Sequence, residues 1–429
     1  MIQKTENTIY PLYFFCEVYE MTEFLTLDDV SLAGKTVLVR VDFNSPVDAE
    51  TKKILDVTRI RTHGETTIKE LVEKGAKVVI LAHQGRPGEP DFIPLEQHAE
   101  ALSKVLGKRI KYTNSIFDEK VLNTIKELDC GEVLVLENVR TFSGERKKGT
   151  PEEHAKTEMV EKLAPLADLF VNDAFAAAHR SHVSIVGFTA VLPSVAGRIM
   201  ERELKSLSKV LESPEKPCAF VLGGAKADDA LEISKYVLDN GVADFVLTGG
   251  VAGHVFLVAR GFDLGKPNMD FLEGKELLGF VPGIRELMQR YPDEIKVPLD
   301  VGVEVEGKRK EISVDELPTD YPIFDVGAIT VESYARIIGD AKSIVISGPV
   351  GVYENSEFVF GTKGIFEEVA NSQGFSLAGG GHTVAALQEL GLSDKISYIS
   401  TAGGALIEFL MGKKLPGVVA LEKATTKKL

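Results

Sequence analysis

The chain has 429 residues, more than one ordinary domain holds and enough for two lobes of about 200 residues each. Apolar residues make up 44% and charged residues 26%, which excludes a disordered chain over most of the length. With 64 acidic against 49 basic side chains the net charge is −15, so nucleic acid and anionic membranes are excluded as partners through a general field.

Residues 1–20 hold a short aromatic run from Ile9 to Cys16, then Glu17 and Glu20, with no basic leader and no small-residue cleavage site. They read as a non-native or disordered N-terminal extension ahead of Met21. Cys16, Cys130 and Cys218 are too scattered for a disulfide or metal framework, so a cytoplasmic setting is expected. No apolar run reaches the roughly 18 residues of a membrane helix. Short β-branched runs then alternate with amphipathic ones, the pattern of a parallel α/β protein. Strands are expected at Thr36–Val41, Lys77–Ala82, Glu132–Leu136 and Leu169–Asn172, and helices at Thr66–Lys74, Pro94–Leu106 and Pro151–Leu166. Arg198–Leu211 reads as a charged amphipathic helix ending at a proline-punctuated turn, a natural joint between two lobes. Beyond it, strands are expected at Ala219–Leu222, Asp244–Thr248, Lys342–Ser347, Phe375–Ala378 and Ile396–Ser400.

Polar residues gather where these strands end, the place at which open α/β sheets bind ligands. The first half offers Asp42, Asn44, Arg59, His83, Arg86, Arg140, His179, Arg180 and His182. Several guanidinium groups at successive strand ends suit a small, multiply anionic ligand. A lone arginine would more often be a solvated surface residue; four in this pattern are not. The second half is glycine-rich instead, at Gly223-Gly224, Gly249-Gly250, Gly348-Pro349, Gly379-Gly380-Gly381 and Gly403-Gly404. Bare backbone before a helix presents N–H donors to phosphate, so a nucleotide-sized ligand is expected there. His63, His98, His154 and His254 read as ordinary core or surface histidines. No metal-ligand cluster and no nucleophile elbow is found.

In order along the chain, Val37–Asn44, His83–Pro87, Leu136–Arg140, Val171–Phe175 and His179–His182 resemble the substrate-lobe motifs of the phosphoglycerate kinase family. Leu222–Lys226, Thr248–Gly250, Val297–Asp300, Phe324–Gly327, Ser347–Glu354, Gly379–Thr383 and Ser400–Ala405 are similar to its nucleotide-lobe motifs. The resemblance runs from about Leu32 to Leu421. It implies two Rossmann-like, three-layer α/β lobes with mainly parallel sheets, joined by a helix and hinge. The lobes would span 21–197, binding 3-phosphoglycerate, and 214–405, binding nucleotide, with 198–213 between them and 406–429 returning to the first.

The implied reaction is reversible phosphoryl transfer from 1,3-bisphosphoglycerate to ADP, giving 3-phosphoglycerate and ATP, with Mg²⁺ carried on the nucleotide. By position, Asp42, Asn44, Arg59, His83, Arg86, Arg140 and Arg180 would hold the acid. Gly224, Lys226, Gly249, Gly250, Glu354, Gly379, Gly380, Gly381, His382 and Thr383 would face the nucleotide. Arg59, Lys226, Gly380 and Gly403 would act on the transferring group. The chemistry suits these residues, because a carboxylate acceptor needs no general base and only positioning and charge cancellation remain. Three positions depart from the family: Ala230 replaces a second lysine, His382 a metal-associated aspartate, and Ser347 an asparagine. They resemble the archaeal-type branch. A neutral histidine is no hard-oxygen ligand, so the metal ligands are left unassigned, with Asp229 the nearby acid. A monomer or homodimer is expected. The alternatives are a catalytically inactive nucleotide-binding interaction protein of the same fold, and a two-lobed dehydrogenase, which the missing dinucleotide fingerprint disfavours.

Overall fold

The structure, a computed structural model, describes residues 23–424. The expectation for residues 1–20 lies outside that range. Six strands form the first sheet: β1 (Thr36–Arg40), β2 (Lys77–Leu81), β3 (Lys111–Tyr112), β4 (Val133–Val135), β5 (Leu169–Asn172) and β6 (Ser194–Ala196). Their order is β3-β4-β2-β1-β5-β6, and every pairing is parallel. Val37, Val39, Val78, Ile80, Val133 and Val135 enter one core, while Leu38, Val79, Leu81, Leu134 and Phe170 enter the other. A sheet buried on both faces needs continuous apolar runs, which is why these strands were conspicuous in the sequence.

The second sheet contains β7 (Cys218–Leu222), β8 (Phe245–Thr248) and β9 (Ile295–Lys296). A small antiparallel sheet follows, built from β10 (Asp300–Val305), β11 (Lys308–Ser313) and β12 (Ile323–Val326). The chain then returns through β13 (Ser343–Ser347), β14 (Phe375–Gly379) and β15 (Tyr398–Ile399), giving the parallel order β15-β14-β13-β7-β8-β9. In each large sheet the strand order reverses beside the first strand, between β1 and β5 and between β7 and β13. A crevice opens at such switch points.

Three expectations need correction. The helix around Thr66–Lys74 begins at Thr58 and runs to Glu73, with a wide π turn at Gly64–Ile68. The helix expected over Pro151–Leu166 breaks into Pro151–His154, Glu158–Leu163 and a 3₁₀ turn, because Thr157 turns its hydroxyl onto the His154 carbonyl and restarts the chain. The strand expected over Ile396–Ser400 pairs only at Tyr398 and Ile399, at the sheet edge.

Arg198–Leu211 is one helix over the expected span, and its apolar stripe joins the lobes. Met200, Leu204, Leu207 and Val210 share a single core with Phe175 and Ala178 of the first lobe and Cys218 and Phe220 of the second. Its N-terminus is capped by Asp173, whose Oδ1 accepts from the Ile199 amide at 2.8 Å. Fully buried Glu203 accepts from Ser400 Oγ, Thr401 N and Thr401 Oγ1, each at 2.8 Å. The helix Pro416–Ala424 packs on the first lobe, where the Gly417 amide donates to Ala178 O at 2.8 Å.

Candidate active site

At the β1–β5 switch point the chain assembles a cationic pocket. Arg40 ends β1 and is fully buried; its Nε donates to Ser184 Oγ at 2.8 Å and its Nη2 to His83 Nδ1 at 3.1 Å. The acceptor role at Nδ1 leaves the His83 Nε2–H as a donor without a partner among the described residues. Burial, then the charges of Arg40, Arg140 and Arg180, hold His83 well below the usual imidazole range. Burial and the neighbouring Arg180 and Arg40 likewise bring Arg140 down to about 10. His182 falls to about 3 through burial and the same arginines. The opposing charges are few. Glu145 is buried beneath Arg40, linked through Ser184, whose hydroxyl and amide donate to it at 2.6 and 2.9 Å. Asp42 pairs with Arg59. Five guanidinium groups, counting exposed Arg86, thus face three carboxylates, since Glu408 also acts on Arg180, and their repulsion is relieved when an anion enters.

Rigid loops hold these groups. The Asp42 amide donates to His63 Nε2 at 3.3 Å, so His63 carries its proton on Nδ1 and donates to Asp173 Oδ2 at 2.6 Å. Arg59 and His63 are one helical turn apart and both meet Asp42. Asn44 Oδ1 accepts from the Gly85 amide at 2.9 Å, while Arg140 donates to the Gly85 carbonyl. Asn44 therefore braces the Gly85 loop, leaving only its Nδ2 for a ligand. Arg180 Nε donates to His179 Nε2 at 3.1 Å, and burial keeps His179 near 4.

At the β7–β13 switch point the glycines bring strand ends into backbone contact. The Gly223 amide donates to Ser347 O, Gly224 to Pro349 O and Gly250 to Val350 O, at 2.7 to 2.9 Å. Gly348 has φ +94°, and a Cβ there would lie 2.4 Å from the Gly223 carbonyl carbon. Thr383 Oγ1 accepts from the Gly348 amide at 2.8 Å, which ties the helix after β14 to the same point. Lys226, Gly249 and Gly380 begin the helices Ala227–Asp239, Gly250–Arg260 and Gly381–Glu389, none with a side-chain cap. The positive dipole ends of all three converge on this face with the first amides of Ala227–Asp239 and Gly381–Glu389, whereas Gly250 N and Ala252 N are spent on Val350 O and Gly224 O. Lys226 is exposed and pairs with Asp229 at 3.3 Å. Gly403 precedes the helix Gly404–Leu410, and a Cβ on Gly404 would approach the His179 ring to 3.5 Å. Gly379 and Gly249 are small for packing reasons: a Cβ would strike Leu406 or Val350 respectively.

Beside these helix ends lies a cavity of about 410 Å³. Gly224, Gly250, Glu354 and His382 line it; of its apolar walls, Val251, Pro267, Phe271 and Ile323 escaped the sequence reading, and Phe324 and Val352 entered it only inside the quoted motifs. His382 and Glu354 stand 3.7 Å apart at exposed positions. A concave, mostly apolar pocket beside open amides is what a nucleoside phosphate needs. The sequence reading also passed over Arg40, whose charge inside an otherwise apolar strand was an available signal. Glu145, Ser184 and His63 gave none. No hydrogen bond or ion pair joins Lys226 to the arginine cluster among the described residues, and no three His, Cys, Asp or Glu groups converge there as a metal cage.

The sequence profile described as phosphoglycerate kinase matches residues 27–413. The chain is 49% identical over 402 residues to the phosphoglycerate kinase of Methanothermobacter thermautotrophicus, covering 94% of this chain and 97% of that one. With the phosphoglycerate kinase of Methanococcus maripaludis it shares 49% identity over 413 residues, covering 94% and 99%. The fold is similar to the crystal structure of phosphoglycerate kinase from Pyrococcus horikoshii, with a TM-score of 0.85, 41% identity and coverage of 94% and 100%. The phosphoglycerate kinase structure from Coxiella burnetii gives 0.81 and 34%, covering 94% of this chain and 99% of that chain. Both switch-point crevices lie within the matched residues, and the relatives cover nearly the whole chain: it belongs to the phosphoglycerate kinase family.

Proposed function

We propose that this kinase moves a phosphoryl group reversibly between 1,3-bisphosphoglycerate and ADP, with the acid on the first lobe and the nucleotide on the second. The observation that carries the residue assignment is the pairing of an anion-deficient arginine pocket with a nucleoside-sized cavity beside open helix N-termini. Arg86, Arg140 and Arg180, with the His83 Nε2–H and Asn44 Nδ2, hold the phosphoglycerate. Asp42 keeps Arg59 oriented until the acyl phosphate arrives. Lys226 and the amides following Lys226 and Gly380 cradle the nucleotide phosphates, and Glu354 meets the ribose.

Closure of the lobes about the Arg198–Leu211 helix brings Arg59, Lys226 and the Gly380 and Gly403 loops onto the transferring group. There they neutralise its charge and exclude water. The acceptor oxygen is already anionic, so the site needs no proton-abstracting base. Mg²⁺ carried on the nucleotide would supply positive charge for phosphoryl transfer. Asp229, once released from Lys226, would be the carboxylate to hold it, and a neutral His382 would not be a ligand. A cytoplasmic, monomeric or homodimeric enzyme completes the reading.

The test is a coupled assay with 3-phosphoglycerate and MgATP on the wild type, Arg59→Ala and Lys226→Ala. Each substitution should lower kcat by about 10²-fold or more. A loss under tenfold removes that residue from its role, and an inactive wild type sinks the reading.

A further inference from the structure

Apart from an exposed Glu354–His382 pair, the nucleotide cavity holds one polar side chain with no hydrogen-bond partner among the described residues. Four polar side chains line it: His254, Asn268, Glu354 and His382. Asn268 is saturated, its Nδ2 donating to Leu264 O at 2.8 Å and Tyr321 O at 3.0 Å and its Oδ1 accepting from Ile323 N at 2.8 Å. Glu354 and His382 face each other at the mouth, with side chains 55% and 80% exposed. His254 is different. It sits one turn into the helix that Gly250 opens, with Val251, Pro267 and Phe271 lining the same cavity. Burial alone holds its imidazole at about 4, so it is neutral at physiological pH. No described residue hydrogen-bonds the ring. A polar group left without a partner at the wall of an apolar cavity calls for a ligand that supplies one.

We propose that His254 reads the base, its neutral imidazole hydrogen-bonding the 6-substituent of a purine. This rests on the nucleotide assignment above and names the group that gives it base specificity. Neutral imidazole carries one donor and one acceptor. It accepts from the amino group of adenine or, in the other tautomer, donates to the 6-oxygen of guanine. It therefore favours a substituted purine over an unsubstituted one without separating adenine from guanine.

The experiment is calorimetric titration of the full chain with the Mg²⁺ complexes of ADP, GDP and purine riboside diphosphate, which lacks the 6-substituent. Wild type, His254→Leu and His254→Gln are compared. The wild type should bind ADP and GDP about fivefold more tightly than the unsubstituted analogue, the size of one neutral hydrogen bond. His254→Leu should erase that difference while leaving the analogue's affinity unchanged, and His254→Gln should retain it. Equal weakening of all three ligands in His254→Leu, or a wild type that does not distinguish them, overturns the proposal. A wild type that binds no purine nucleotide overturns the cavity assignment itself.

Discussion

Gly348 stands where the ends of β7 and β13 meet backbone to backbone. An alanine there meets two costs. Its φ of +94° is strained for any L side chain, worth about 1–2 kcal/mol. Its Cβ would also lie 2.4 Å from Gly223 C, 2.5 Å from Gly223 O and 2.7 Å from Gly224 N, all backbone atoms that cannot swing aside. Reaching ordinary van der Waals separation forces the ends of β7 and β13 apart by about 1 Å. Overpacking of that kind adds about 1–3 kcal/mol, and a 1 Å misplacement at a site costs about 10²-fold. Gly307, in the β10–β11 turn, is the control: its φ is +76°, but a Cβ there meets nothing within 4 Å. Urea denaturation followed by circular dichroism and calorimetric MgADP binding should separate the two. Gly307→Ala should lose about 1 kcal/mol of stability and no affinity. Gly348→Ala should lose about 3 kcal/mol and about 10²-fold in affinity. Gly348→Ala binding MgADP within threefold of the wild type would refute the close-approach argument.

Replacing Arg140 by methionine keeps the length of the side chain and removes one cation from the pocket. The KM for 3-phosphoglycerate should rise at least tenfold while that for MgATP stays put in steady-state kinetics, since a charged hydrogen bond is worth about 1.5–3 kcal/mol. Asp325 carries a pH signature: burial lifts its carboxyl to about 7, against the pull of the Gly361 amide and Arg309. The folded chain therefore holds this proton where the unfolded chain has lost it, and the group's contribution falls as pH rises from about 4 to 7. Asp325→Asn should flatten that part of the stability profile measured by urea midpoints; parallel profiles would exclude it. Cys218 is buried with its thiol pushed up to about 12, whereas Cys130 is exposed. Iodoacetamide should label Cys130 and spare Cys218 in the native protein, as read by peptide mass, without loss of activity.

Both large sheets were legible because parallel strands buried on two faces write themselves as apolar runs, as in Val37–Val39 and Val78–Ala82. The small antiparallel sheet was not. β11 reads Lys308-Arg309-Lys310-Glu311-Ile312-Ser313, an edge strand whose outward residues are charged. Its hairpin signal was the dipeptide Glu306-Gly307, both at positive φ. Ligand-facing arginines and glycines stood out because they interrupt strand ends. Phe271 and Phe324 did not, because a pocket wall and a core position share the same composition. Glu145 lies far in sequence from Arg40, and only packing reveals that it balances that charge.

The helix Pro416–Ala424 rests on Ala178 and Ile185, and the segment at Leu25 and Thr26 adds to β6. The first lobe thus draws on both ends of the polypeptide. During vectorial synthesis the six strands of the first sheet emerge more than 200 positions before the helix Pro416–Ala424 that packs on them. The first lobe is therefore completed only after every strand of the second has been translated.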